Sequence, residues 1–366
     1  MIRRLSPLNG LAILAVVANH AVGWTITAMF WWTNQYRPVT VPNFDAVGSP
    51  GYYGLEIIDQ LALFSVPAFL FVSGYFAAYA ARGEQGSPSW VFVRTRILKV
   101  IWPYLIWSGV IFIMAALQGQ TNPPLEYVRQ LFTGNAIPAY FFVPVLCQFL
   151  LLSPWIGRLA KQRPRQLLIG AAFIQLVMTG LFGLKYVGLY LPAEVYATRW
   201  LCVWFAFYFP LGMVCCFHSK AVQNMLTPRR WLLAGIAIGL ALLSVIGAEW
   251  LYRLTHDLAL AWDPTKLFTE LFAVTFVLAF VSFGGHRGQP WVFLNSMGSR
   301  SYGLYLIHPL LLELIARTTR RLTPQVLAQP LLFFVILVVG SISGVLLMME
   351  VVRRTRARGL YAYLFG

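Results

Sequence analysis

The 366-residue chain is 59% hydrophobic, 16% aromatic and 11% charged, with a mean hydropathy of +0.68, far from the roughly 45–50% apolar and 25% charged mix of soluble domains. That composition excludes a soluble domain and puts the chain in a bilayer. The net charge of +16 does not by itself select nucleic acid, because membrane proteins collect Lys and Arg in cytoplasmic loops.

In chain order, apolar runs fall near 8–31, 57–80, 98–117, 139–160, 166–184, 199–217, 231–249, 266–284, 298–318 and 330–350. Each approaches the length that spans ~30 Å of hydrocarbon at 1.5 Å per residue. They predict ten transmembrane helices in one all-α membrane bundle covering residues 1–366. Between them lie RGEQGSPS (82–89), QGQTNPP (118–124) and KQRPRQ (161–166), with the Gly, Pro and polar residues of loops. Arg3 and Arg4 before the first run imitate a signal peptide, but the run exceeds the roughly 7–15 residues of such a segment and reads as a signal anchor. The chain shows no internal repeat and no low-complexity stretch.

Counting basic residues in alternate loops gives the orientation. With the N-terminus cytoplasmic, the inner segments hold 19 of the 28 basic residues, and Arg37, Arg129, Lys185, Arg199, Arg253, Lys266, Arg317, Arg320 and Arg321 fall outside. This alternation predicts both termini in the cytoplasm and leaves no surplus charge that asks for nucleic acid. Carboxylates run the other way: Asp45, Glu56, Asp59, Glu126, Glu194, Glu249, Asp257, Asp263, Glu270 and Glu313 lie outward, and only Glu84 and Glu350 lie inward. They read either as solvated loop charges or as an outer vestibule for a hydroxyl-rich acceptor. Glu270 and Glu313 stand among apolar neighbours, where a carboxylate is costly without a partner or a role.

Two histidines stand at membrane depth. His20 lies twelve residues beyond Leu8, roughly 18 Å along a helix, and His308 lies ten residues into the ninth run, which points the same way. Such imidazoles either form interhelical hydrogen bonds or exchange protons, for which a pKa near ~6.5 suits them. The four cysteines, Cys147, Cys202, Cys215 and Cys216, contain no C-x-x-C pair, and the five histidines no H-E-x-x-H spacing, so no metal site is expected.

LSPLNGLAILAVVANHA (5–21), LFSVPAFLFVSGYFAA (63–78), RTRILKVIWPYLIWS (94–108), AYFFVPVLCQFLLLSPWI (139–156) and SRSYGLYLIHP (299–309) together resemble the acyltransferase 3 family of multi-pass membrane proteins. The resemblance covers the whole chain in the family's order. It implies movement of an acyl group, acetyl or succinyl, from cytoplasmic acyl-coenzyme A to hydroxyls of an extracytoplasmic glycan or similar acceptor, in a bacterial-type plasma membrane. One departure stands out. Family members carry Arg or Lys eleven residues before the first-helix His, and this chain has Asn9.

The chemistry needs cations for the coenzyme's phosphates, a base for the acceptor hydroxyl and donors for the oxyanion. Arg96 and Lys99, three residues apart, share a helix face with Arg94 near by and are candidates for the phosphates. His20 is the candidate base, with His308 as its companion. Ser73, Tyr75, Tyr302 and Asn19 are candidate donors, and Asp59, Glu270 and Glu313 candidate substrate contacts. Asp59 or Glu56 is the carboxylate available to hold the imidazole. The other readings are a transporter or flippase for a lipid-linked or polar envelope precursor, with the histidines as proton relays, and an inert assembly partner. No paired broken helices of the kind found in transporter repeats are evident in the sequence. Monomer and homodimer stay open.

Overall fold

The computed structural model describes residues 4–81, 86–189, 191, 192, 195, 197–283 and 289–366. Of the residues weighed above, Arg3, Arg82, Glu84, Glu194, His286 and Arg287 lie outside the described residues. The described chain is helical, and seven of its segments are long and apolar enough to cross a bilayer: Leu5–Trp31, Pro50–Ala80, Trp90–Leu117, Pro138–Gln162, Pro164–Val187, Ser219–Thr255 and Pro330–Arg354. The other three expected runs are present in shorter or broken form.

The first run is one helix, α1 (Leu5–Trp31). The second is two, α2 (Pro50–Ala62) and α3 (Ser65–Ala80). Pro67 explains the break, because its ring would meet the carbonyl of Leu63 if the helix continued, whereas in the first turn of α3 its missing N–H costs nothing. Ser49 starts α2, accepting the Tyr52 N–H at 3.2 Å ahead of Pro50. Next come α4 (Trp90–Leu117), α5 (Pro124–Thr133), α6 (Phe142–Gln162) and α7 (Pro164–Gly183).

The sixth run is not a continuous helix. Residues 199–217 pass through short 3-10 turns at Ala197–Trp200 and Cys202–Phe205 before α8 (Tyr208–Phe217). Irregular backbone at membrane depth needs its polar groups satisfied by protein. Two amides do so: half-buried Gln148 donates to the Trp200 carbonyl at 2.7 Å and accepts from the Cys202 N–H at 3.0 Å, and buried Gln175 donates to the Trp204 carbonyl at 2.9 Å. After α9 (Ser219–Leu226), α10 (Arg230–Thr255) and the single turn α11 (Leu258–Ala261), the eighth run is α12 (Leu267–Ser282). The ninth run breaks at Arg300 into α13 (Gln289–Ser299) and α14 (Ser301–Leu322). Arg317, Arg320 and Arg321 occupy the far end of α14, which keeps it out of the strongly apolar set. The chain closes with α15 (Pro330–Arg354) and α16 (Tyr361–Phe365).

At the centre stands α1, packed against α2, α3, α13, α14 and α15. Small residues set the closest approaches. A Cβ on Gly10 would lie 2.0 Å from the Leu294 oxygen and one on Gly298 2.0 Å from the Ser6 oxygen, so α1 and α13 touch backbone to backbone. Gly74 and Gly212 join α3 to α8 in the same way. The start of α1, the α13–α14 junction, the start of α4 and the C-terminus gather at one end of the bundle. There Tyr302 donates to the Val100 carbonyl and the Trp107 indole to the Leu364 carbonyl, at 2.5 and 2.8 Å.

Candidate active site

A cavity of about 430 Å³ opens at that end. Arg96 and Lys99 of α4, Asn9 of α1, Ser73 of α3 and Tyr302 and Tyr305 of α14 line it. Arg94 is exposed on α4 and does not join this wall. The Asn9 carboxamide oxygen is buried without a partner among the described residues. Among the described residues the cations of the wall thus come from one helix, and Asn9, where the resemblance leads one to expect a cation, is polar and neutral.

A second cavity, about 140 Å³, lies deeper and contains His20 with Asn19, Ser65, Tyr208, Glu270 and Tyr305. Phe142 and Tyr305 line both cavities and separate them. Their rings meet edge to face with centroids 5.6 Å apart, and the Tyr305 hydroxyl is anchored on the Ala139 carbonyl. The result is an aromatic septum, built from α6 and α14, between the basic mouth and the imidazole. Farther on, Trp204, Phe205, Pro264 and Thr265 line both the His20 cavity and a further cavity that includes Arg199.

His20 and His308 are neighbours, with ring centroids 5.2 Å apart. His308 is fully buried, lines neither cavity, and places Nδ1 3.0 Å from the Leu304 carbonyl. A carbonyl only accepts, so Nδ1 carries the proton and Nε2 the lone pair. That Nε2 has no partner among the described residues.

Asn19, beside His20, donates to Asp59 at 2.7 Å, and Gln60 donates to the other Asp59 oxygen at 3.0 Å. Lys266 and Ser244 both reach the Gln60 carbonyl oxygen at 2.9 Å, and Ser244 contacts Thr269 at 2.7 Å. This network ties α1, α2, α10 and α12 into one polar layer beneath the His20 cavity. Asp59 is therefore 6% exposed and compensated, and it reaches the imidazole's neighbour rather than the imidazole. Glu56 is fully buried with both carboxylate oxygens unpartnered among the described residues. Glu270 accepts from Gln175 at 2.9 Å and from Thr179 at 2.6 Å, which holds its carboxylate at the cavity wall.

Of the residues singled out in the sequence, His20, Asn19 and Glu270 share one cavity, and Arg96, Lys99, Ser73 and Tyr302 share the other. Glu313 stands in a separate groove of about 330 Å³ beside His20 and is paired with Arg317 at 2.7 Å. Tyr75 is buried in the α3–α8 contact, and its side chain lines neither cavity. Sequence reasoning missed Phe142, Tyr208 and the bracing glutamines. Gln148 and Gln175, each alone in an apolar run, carried the signal of a polar group with membrane work to do; Phe142 carried none.

Comparison with known proteins follows the same line. The family profile described as an acyltransferase domain matches residues 8–350. A protein of Rhizobium meliloti (strain 1021) named succinoglycan biosynthesis protein ExoH is 24% identical over 284 residues, covering 70% of this chain and 71% of its own length. No solved structure matches the chain.

Proposed function

The chain belongs to the acyltransferase 3 family, and from that premise we propose that it is an integral-membrane O-acyltransferase, residues 1–366 acting as one unit, that moves an acetyl group from cytoplasmic acyl-coenzyme A to a hydroxyl of an extracytoplasmic glycan. The bundle then sits in a bacterial-type plasma membrane with both termini cytoplasmic. The observation that carries the reading is the line of two cavities: cations at the mouth, His20 inside, one aromatic septum between them.

Arg96 and Lys99 hold the coenzyme's phosphates at the mouth. Its neutral arm passes Phe142 and Tyr305 and brings the thioester carbonyl beside His20. The imidazole takes the acceptor's hydroxyl proton as that oxygen bonds to the carbonyl carbon. Tyr208 and the free N–H of Asn19 are placed to donate to the resulting oxyanion. The C–S bond then breaks, and the thiolate leaves with the proton from His20, giving the ester and free coenzyme A. His308 acts from behind, its Nε2 lone pair offering a direct or water-bridged acceptor that fixes the His20 ring.

Purified protein in liposomes, given radiolabelled acetyl-coenzyme A and an envelope-glycan extract, tests this. Label enters glycan with the wild type and falls by about 10²–10⁴-fold in folded His20→Ala, the range for a lost general base. Equal incorporation by both proteins removes His20 from the reaction. No incorporation by the wild type with either acetyl or succinyl donor removes the activity.

A further inference from the structure

The outer end of α14 carries Arg317, Arg320 and Arg321 at i, i+3 and i+4, so all three guanidinium groups share one helix face. With Gln35 and Pro324 they line a pocket of about 430 Å³. Two physical rules oppose this arrangement. Like charges at such spacing destabilise a helix by a few tenths of a kcal/mol per pair, and on the orientation proposed above this is the membrane face that basic residues avoid. Only Arg317 has a carboxylate partner, Glu313, among the described residues. Arg320 instead lies over the Trp32 ring, 4.9 Å from its centroid. The favourable interaction of basic groups with a helix C-terminus accounts for Arg320 and Arg321 in the last turn. It does not account for Arg317 or for a shared pocket.

Side-chain contacts join the pocket to a groove that reaches the reaction centre. The groove that holds Glu313 is lined by α1, α14 and residues 137–139, passes Trp24 and Thr27, and reaches His20. Glu313 bonds Arg317, and Trp24 meets Trp32 with centroids 5.7 Å apart. Side-chain contacts therefore link the arginine pocket to the groove that reaches the imidazole, although the two share no lining residue. His308 and Arg320 are twelve residues apart on α14, a rise of roughly 18 Å.

We propose that the acceptor enters along this side of α14, its hydroxyl in the groove at His20, and that it carries an oxyanion, carboxylate or phosphate, gripped by Arg317, Arg320 and Arg321. The anionic group lies on a neighbouring sugar or on a diphosphate anchor, not on the ring that is acylated. Planar guanidinium forks suit either oxyanion, and Trp24 in the groove wall is placed to meet a sugar ring. The inference rests on the proposed O-acyltransferase reading for the identity of the acceptor, while the binding site itself can be tested without any transfer.

The test measures binding and transfer side by side, using a uronate-containing oligosaccharide, the same oligosaccharide with its carboxylates reduced to alcohols, and the reduced form linked to a polyprenyl diphosphate. The wild type is expected to prefer at least one anionic form over the neutral one by about tenfold at low salt. That preference fades as ionic strength screens exposed charge, and whichever anionic form shows it identifies the source. Arg317→Gln/Arg321→Gln brings the preference toward one, Arg321→Lys retains part of it, and Arg129→Gln/Arg253→Gln, an equal charge change at other outer sites, retains all of it. Equal affinity of the wild type for all three forms, or a preference unchanged in the double variant, overturns the proposal and leaves the arginines as helix-end charges. Arginine-dependent binding without acyl transfer keeps the site and overturns the O-acyltransferase reading.

Discussion

Gly74→Ala and Gly212→Ala test how closely α3 and α8 must pack to hold the site. A methyl on Gly74 would stand 2.1 Å from the Phe209 oxygen, and one on Gly212 2.0 Å from the Phe71 oxygen. Neither oxygen can rotate away, since each belongs to helix backbone. An ordinary contact begins near 3.4 Å, so the helices must part by about 1.3–1.4 Å. Overpacking of that order costs roughly 1–3 kcal/mol, and α3 and α8 carry Ser73 and Tyr208, so transfer falls as well. Once the first methyl has separated the helices, the second has less left to do. The double variant should therefore lose at least about 1 kcal/mol less than the sum of the singles. Gly247→Ala, with nothing within 4 Å of its Cβ, is the control and should be neutral or slightly stabilising. Thermal unfolding in detergent, followed by fluorescence and by retention of the monodisperse peak, reads all four variants against the wild type. A Gly74→Ala protein that melts with the wild type, or strictly additive penalties, refutes the packing argument.

Phe142→Ala should merge the basic mouth with the His20 cavity, raising hydrolysis of acyl-coenzyme A in the absence of acceptor and raising use of longer acyl donors relative to acetyl; thiol release measures both, and unchanged ratios dismiss the septum. Arg96→Gln and Lys99→Gln should each raise the donor KM by about tenfold, the order expected for a charge-assisted hydrogen bond. Asn9→Lys in the Lys99→Gln background should recover most of that loss, because positions 9 and 99 face the same cavity; no recovery separates Asn9 from donor binding. Gln148→Leu should destabilise the protein by roughly 1–3 kcal/mol for each backbone group left unsatisfied at Trp200 and Cys202, read as a lower melting temperature, whereas an unchanged melt means water replaces the amide.

What the sequence makes legible follows from which signals are local. Run length and loop charge locate the membrane segments because burial in hydrocarbon demands both. They do not report a break that protein side chains repair. The sixth run is as apolar as a helix and yet is kept open by Gln148 and Gln175, and the second is divided by one proline whose position relative to a turn decides whether it kinks or starts a helix. His20 stands out because an imidazole among apolar neighbours is expensive wherever it points. Phe142 does not, since its role depends on standing opposite Tyr305, a contact between residues 163 positions apart. Asp59 shows the intermediate case: its cost is visible in sequence, and its compensation by Asn19, Gln60 and Lys266 exists only after α1, α2 and α12 have met.

The depth of His20 then has a physical reason under the proposed reaction. Asn9 at the basic mouth and His20 lie eleven residues apart on α1, roughly 16–17 Å. Coenzyme A can therefore leave its phosphates in water on Arg96 and Lys99 while only the neutral arm enters the bundle. At the other end Arg320 stands a comparable distance beyond His308, so an anionic handle on the acceptor also stays wet. The groups that meet at the imidazole are a thioester and a hydroxyl, and neither pays the desolvation cost of an ion in a low-dielectric interior. A base at either surface would face bulk water, and hydrolysis would compete with transfer. The aromatic septum and the mid-bundle imidazole are two parts of one solution, which keeps charge at both mouths and water away from the thioester.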